Sequence, residues 1–285
     1  MARMAFIAAY LSLIALAGLW LVMPWFTWIV YFIVLGAESL TLATRLRAVS
    51  WRPAGRRAWL GAMTNSVLAV GTLAMIWLVI SGWTPPGEHT VDLEFPLRGG
   101  TYAVANGGTN ELVSAHMTTL TGDRFRNYRG QSYGVDLVKL DRWQRRADGL
   151  APRDPRAYAI FGDAIYAPCS GVVLKAEDGL PDLSPPEVDR GHMPGNFVLL
   201  ECAGVQVLLA HMEHGSVSVV PGDRVTPEKV IGRVGNTGNS SEPHLHVHAQ
   251  RPATGDAFLS GDPLPIRLNG RYLVRNDRIR SPDAQ

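Results

Sequence analysis

Cysteine is nearly missing from this chain. The two present, Cys169 and Cys202, are spaced in a way that gives no sign of a cysteine metal site. An excess of either charge is also missing. The formal net charge is +2, which offers no electrostatic argument for nucleic acid, and no nucleic-acid partner is expected. There is no internal repeat. Charge itself is scarce at the start of the chain. Residues 4–23 and 58–83 contain none, and residues 26–44 contain only Glu38.

These three apolar runs read as transmembrane helices. Twenty residues at 1.5 Å rise span about 30 Å, the thickness of a bilayer's hydrocarbon core. A cleaved signal peptide is the rival reading of the first run, but that run is too long and a second one follows directly. Arg3 precedes the first run, and Arg45, Arg47, Arg52, Arg56 and Arg57 sit between the second and third with no acid among them. The positive-inside rule places both groups in the cytoplasm. Three crossings then put everything after Trp83 outside. Trp20, Trp25, Trp28 and Trp83 fall near the outer interface, and Trp51 and Trp59 near the inner one. The expectation is a multi-pass protein of the cytoplasmic membrane with its C-terminal domain on the extracytoplasmic side. Glu38 reads as a helix-end residue reaching toward the headgroups or the nearby arginines rather than as a polar relay in the bundle.

Residues 84–94 read as a linker, opening on the paired prolines of "WTPPGEHT". From 95 to 285 the pattern changes to short β-branched runs punctuated by Gly, Pro, Asn and Asp, such as "AIYAPCSGVVLKA", "NFVLLEC", "VQVLLAHM" and "HLHVHAQ". Few stretches hold a helical period for ten residues, so a mainly β, antiparallel domain is predicted. The polar, proline-rich stretch 178–195 reads as an insertion at the end of a hairpin, with His192 a loop residue. If "SGVVLKA" and "NFVLLE" pair across it, Cys169 and Cys202 fall opposite each other. A disulfide, which persists outside the cytoplasm, and two buried thiols are both open readings.

Three of the chain's eight histidines stand in one short stretch, "SEPHLHVHAQ", at 244, 246 and 248. On a strand, residues i, i+2 and i+4 share a face, with neighbours about 6–7 Å apart. Imidazole is the commonest metal ligand. A metal cluster and a polar, solvated strand face both satisfy that spacing.

The longer stretch "PGDRVTPEKVIGRVGNTGNSSEPHLHVHAQ" resembles the signature region of the lysostaphin-type (LytM-like) zinc endopeptidases. "VQVLLAHMEHG", "YAPCSGVVLKA" and "YGVDL" resemble three further segments of that family, in the same order, and the likeness runs from about Phe95 to Tyr272. The resemblance implies an antiparallel β peptidase domain that uses Zn2+ to hydrolyse peptide cross-links of bacterial peptidoglycan. It implies that His246 and Asp136 bind zinc, that His211 and His244 form the catalytic pair, and that Gly235, Asn236, Thr237 and Gly238 form the turn delivering the strand. His248 and His214 fall outside the motif. His214 reads as surface, and His248 as a cleft-lining or supporting residue.

The chemistry requires these residue types. A catalytic zinc keeps three protein ligands and an open position for water. It lowers the pKa of that water from about 15.7 toward 7, while nearby imidazoles move protons and stabilise an oxyanion. One ligand departs from the family pattern, because Ser132 stands where a histidine is expected and serine is a poor zinc ligand. His116, in "NELVSAHM", resembles the upstream histidine of a family variant and is the predicted third ligand. Without it the domain would be a degenerate, non-catalytic module that binds peptidoglycan or a partner and regulates other cell-wall hydrolases. A zinc peptidase acting on proteins is a third reading. A regulatory protein partner is compatible with the first two.

Overall fold

The computed structural model describes residues 74, 77, 78, 80–87, 89–254 and 257–282. The chain divides into two compact units, Met1–Ser81 and Gly82–Gln285. The predicted membrane segments 4–23 and 26–44, with Glu38, lie outside the described residues, as does most of 58–83. Among the described residues no helix is long and apolar enough to cross a membrane.

The regular elements of the second unit are mainly strands: β1 Val91–Leu93, β2 Gly100–Asn106, β3 Val135–Leu140, β4 Ala164–Tyr166, β5 Gly171–Glu177, β6 Asn196–Cys202, β7 Val205–Met212, β8 Arg224–Val225, β9 Val230–Arg233, β10 Leu245–Gln250, β11 Pro263–Leu264, β12 Ile266–Leu268, β13 Arg271–Tyr272 and β14 Arg278–Ser281. Nine of them form one sheet in the order β14-β2-β3-β10-β7-β6-β5-β8, with β11 also paired to β10. Every pairing in that sheet is antiparallel. A smaller sheet departs from the antiparallel expectation, because β1 runs parallel to β12.

The expected hairpin is present. β5 pairs with β6 in the register Val172↔Glu201 to Glu177↔Phe197, and Cys169 and Cys202 form a disulfide, which decides between the two readings of the cysteines. The stretch 178–195 is indeed the connection between these strands, but it is not a loose loop. Asp178 accepts hydrogen bonds from the amides of Gly215 (2.9 Å) and Val217 (3.1 Å), and Asp182 from those of His214 (3.0 Å) and Asn236 (2.6 Å). Asp189 N donates to Gly238 O at 2.8 Å, and Asn239 N to Met193 O at 3.1 Å. The insertion is thus strapped along the 235–239 turn. Gly238 is needed there twice over. Its φ is +75°, and a Cβ would stand 2.3 Å from Gly195 N.

β10 lies at the centre of the sheet, and both of its faces are buried. Leu245, Val247 and Ala249 join the main apolar cluster with Leu137, Leu209, Val207, Val198 and Leu200. His246, His248 and Gln250 point the other way, yet His246 is 2 % and His248 1 % exposed. The solvated-face reading of this row is therefore wrong. The face is covered by the turn Asp123–Gln131 and by residues 258–259. Gly130 N donates to Leu259 O (2.8 Å), and the Gln250 amide donates to Phe258 O (2.6 Å) and Gln206 Oε1 (2.9 Å). A satellite apolar cluster of Phe197, Leu199, Leu208, Ala210 and Leu259 lies on this side of the sheet.

Candidate metal centre

The register brings the first two candidate ligands together. Asp136 of β3 stands directly opposite His246 of β10, where cross-strand Cβ atoms are about 4.5–5.5 Å apart. His246 Nδ1 lies 2.8 Å from Asp136 Oδ1. The His246 ring needs open space beside it: a Cβ on Gly134 would stand 2.6 Å from its Cε1.

His116 arrives from outside the sheet, on the short 3-10 turn Ala115–Met117. Its Nε2 is 3.0 Å from Asp136 Oδ2, yet this buried nitrogen has no partner in hydrogen-bonding geometry. One ligand atom each from His116, Asp136 and His246 lie within 4.8 Å of one another. A tetrahedral zinc with bonds of about 2.0–2.2 Å sets neighbouring ligand atoms about 3.3 Å apart. Two imidazoles and one carboxylate, with the buried Nε2 of His116 left without a partner, fit such an ion.

Ser132 does not point into the cluster. It is fully buried, with Oγ 2.7 Å from Arg129 O and 2.8 Å from Thr119 Oγ, and Thr119 Oγ donates to His116 O at 2.7 Å. Two hydroxyl protons serve three contacts, so one contact at any moment is left without its own proton. Where the family pattern has a ligand, this chain has a brace behind the turn that carries His116.

The two candidate catalytic imidazoles flank the cluster. His244 Nε2 is 3.6 Å from Asp136 Oδ1, and the rings of His211 and His244 are 4.7 Å apart. Each donates its Nδ1 proton to an acceptor-only carbonyl: His211 to Thr237 O at 2.9 Å, His244 to Glu242 O at 2.8 Å. That fixes a proton on Nδ1 of both rings, and His211, kept neutral by its burial, presents a bare Nε2 lone pair. His211 sits at φ +65°, a left-handed conformation costing a non-glycine residue about 1–3 kcal/mol. Its amide donates to Pro194 O (3.0 Å) and its carbonyl accepts from Gly235 N (3.0 Å), so the strapped insertion holds the strained residue.

Charge state follows from burial and neighbours. Burial alone would push Asp136 up, but His116 and His244 outweigh it and hold the carboxyl well below its ordinary range. Burial would likewise lower His116, and the Asp136 carboxylate overrides it and raises it. Burial, only partly offset by the bond to Asp136, lowers His246 to about 4. Burial and the neighbouring His244 and His246 put His211 well below its ordinary value. His211 and His246 are therefore neutral at neutral pH, as a base and a ligand must be.

Other residues at the site have no sequence signal of their own. Asn106 Nδ2 donates to Asp136 Oδ2 at 2.8 Å, from across a β-bulge in the β2–β3 register. Arg146 grips Glu242 through Nε at 2.8 and 2.9 Å, steadying the residue whose carbonyl orients His244. The expected surface residues behave as such, with His214 and His192 exposed. The cluster opens into a cleft of about 640 Å³ whose rims carry Arg124 and Arg190.

Residues 157–258 match the family model described as Peptidase family M23. The matched segment contains His211, His244 and His246, while His116 and Asp136 lie upstream of it. No curated protein matches the chain. Among solved structures, the catalytic domain of the antimicrobial peptidase lysostaphin from Staphylococcus simulans is 22 % identical, covering 44 % of this chain and 71 % of its own at a TM-score of 0.29. A zinc containing peptidase from Vibrio cholerae is 20 % identical, covering 39 % of this chain and 35 % of its own at 0.26. The SpoIIQ-SpoIIIAH pore forming complex gives 16 % identity over 61 % of this chain and 94 % of its own at 0.33.

Proposed function

From the premise that residues 157–258 carry a Peptidase family M23 domain, we propose that this chain is a zinc endopeptidase that hydrolyses peptide cross-links of bacterial peptidoglycan. The observation that carries the reading is the convergence of His116, Asp136 and His246 beside the imidazoles of His211 and His244, each with its Nδ1 turned to a backbone carbonyl. His116, Asp136 and His246 would hold the zinc, which would supply a Lewis acid able to bring the pKa of water toward about 7 and to polarise the scissile carbonyl. One of the pair His211 and His244 would take the proton from the attacking water at its Nε2 and, as imidazolium, return that proton to the departing amine, while its positive charge in between stabilises the tetrahedral oxyanion. Asp136, ionised and held by Asn106, balances the positive charge. Arg124 and Arg190 on the rims suit a substrate bearing carboxylates.

The place of action belongs to the same proposal. The three apolar segments at the start of the sequence would anchor the chain in the cytoplasmic membrane with the peptidase domain outside. The Cys169–Cys202 disulfide supports an oxidising compartment. The test is to assay the purified full-length chain in detergent for bound zinc and for release of peptides from cell-wall sacculi, with and without a chelator. Chelator-sensitive release with about one zinc per chain is expected. Stoichiometric zinc with no release from sacculi would remove the substrate, and absence of zinc would remove the reaction.

A further inference from the structure

His248 lies outside the ligand set and outside the catalytic pair, yet it is buried with its ring against that of His246. It touches His246 through one atom: His248 Nδ1 is 2.9 Å from His246 Nε2. The proton between these nitrogens can belong to either ring, and its position decides what His246 shows the cluster. A neutral imidazole carries one N–H. With the proton on Nε2, His246 presents a bare Nδ1 to His116 and Asp136. With the proton on Nδ1, it presents a donor and cannot bind a cation.

The deciding atom is two residues further along the same face. Gln250 has its amino group facing Phe258 O (2.6 Å) and Gln206 Oε1 (2.9 Å). A backbone carbonyl only accepts, so the orientation of the Gln250 amide is fixed and its Oε1 faces the other way. That oxygen is buried without a partner, and so is His248 Nε2. The two are complementary, an acceptor and an atom that can carry a proton, and they belong to residues two positions apart on the same buried face of β10. A proton on His248 Nε2 leaves His248 Nδ1 as an acceptor. His246 Nε2 must then be the donor, and His246 Nδ1 is left bare, 2.8 Å from a carboxylate oxygen. With a proton on Nδ1 that contact is a hydrogen bond; in the other tautomer it is repulsive unless a positive charge lies between the two atoms.

We propose that Gln250 and His248 form a tautomer-setting row, with His248 a positioning residue that turns His246 into a permanent Nδ1 ligand. The row uses period-two alternation along β10: Gln250 fixes His248, and His248 fixes His246, all behind the sheet-covering turn and out of contact with water. The inference rests on the proposed zinc site. It adds that the affinity of that site is set partly by a residue that never touches the ion. Partners of this kind are typically worth 10–100-fold in metal affinity.

The experiment uses the full-length chain and zinc alone. Its dissociation constant is measured by competition with a chromophoric chelator for wild type, His248→Phe and His248→Asn. Phenylalanine keeps the ring and removes the acceptor, whereas asparagine offers an oxygen close to the position of Nδ1. Binding should weaken by about 10–100-fold in His248→Phe and recover by most of that factor in His248→Asn. Gln250→Leu should weaken it by a smaller factor, because it frees the His248 tautomer without removing the imidazole. Phe binding within about threefold of wild type, or Asn binding as weakly as Phe, overturns the row alone. A wild type that binds no zinc overturns the row and the metal site together, so the two failures are distinguishable.

Discussion

The two sides of the candidate metal centre are built differently. Asp136 and His246 stand opposite each other on the central strands β3 and β10, so the sheet's own hydrogen bonds set their separation. His116 stands on a three-residue 3-10 turn, braced through Thr119 and Ser132. On the sheet, ligand geometry comes with the fold. On the turn, it depends on two hydroxyls and the covering segment, and a turn must lose more conformational freedom to hold one rotamer. A site split in this way should fail differently according to which side is disturbed.

The largest effects come from the sheet side. Asp136→Asn and His246→Ala should abolish both bound zinc and peptide release, read as metal content and sacculus digestion. His244→Ala and His211→Ala sharpen the point by separating binding from chemistry. Each should keep its zinc while kcat falls by about 10²–10⁴-fold. On the turn side, His116→Ala should lose zinc and Ser132→Ala should keep it, at a stability cost of about 1 kcal/mol in urea unfolding, since only a brace is removed. If Ser132→Ala loses zinc as completely as His116→Ala, the serine is more than a brace and the division drawn here is wrong. Reducing the Cys169–Cys202 bond, remote from both sides, should lower stability by about 3–4 kcal/mol for a loop of this length without changing zinc stoichiometry. The smallest effect should be at the rim. Arg124→Ala and Arg190→Ala should raise KM a few-fold, as loss of an exposed charge pairing does, and leave kcat unchanged.

Legibility in the sequence followed the same division. Alternation in "HLHVH" placed His244 and His246 on one face, and hydrophobic runs around a polar insertion gave the β5–β6 hairpin. His116 was reachable only through resemblance to a family variant, because nothing in the spacing from 116 to 136 brings a turn onto a strand. Asn106 and the carbonyls of Thr237 and Glu242 could not be read at all. The first acts across a bulge, and any residue has a carbonyl. The burial of both faces of β10 was also hidden. Of the residues that cover it, 123–131 are distant in sequence and largely polar, and Phe258 and Leu259, though only eight and nine positions after Gln250, carry no pattern that announces a core. The parallel pairing of β1 with β12 was missed because it joins positions about 175 residues apart, beyond the reach of any local pattern.

β10 also carries a consequence for how the molecule matures. Since its apolar and imidazole-bearing positions alternate and both sides are packed, a slip of a single residue against β3 or β7 would drive histidines into the oily interior and leucine and valine into the cleft. Such a misaligned product would be too unstable to survive. Chains that pass folding therefore arrive with the reactive groups already aligned, and an intact but chemically misassembled population should not accumulate.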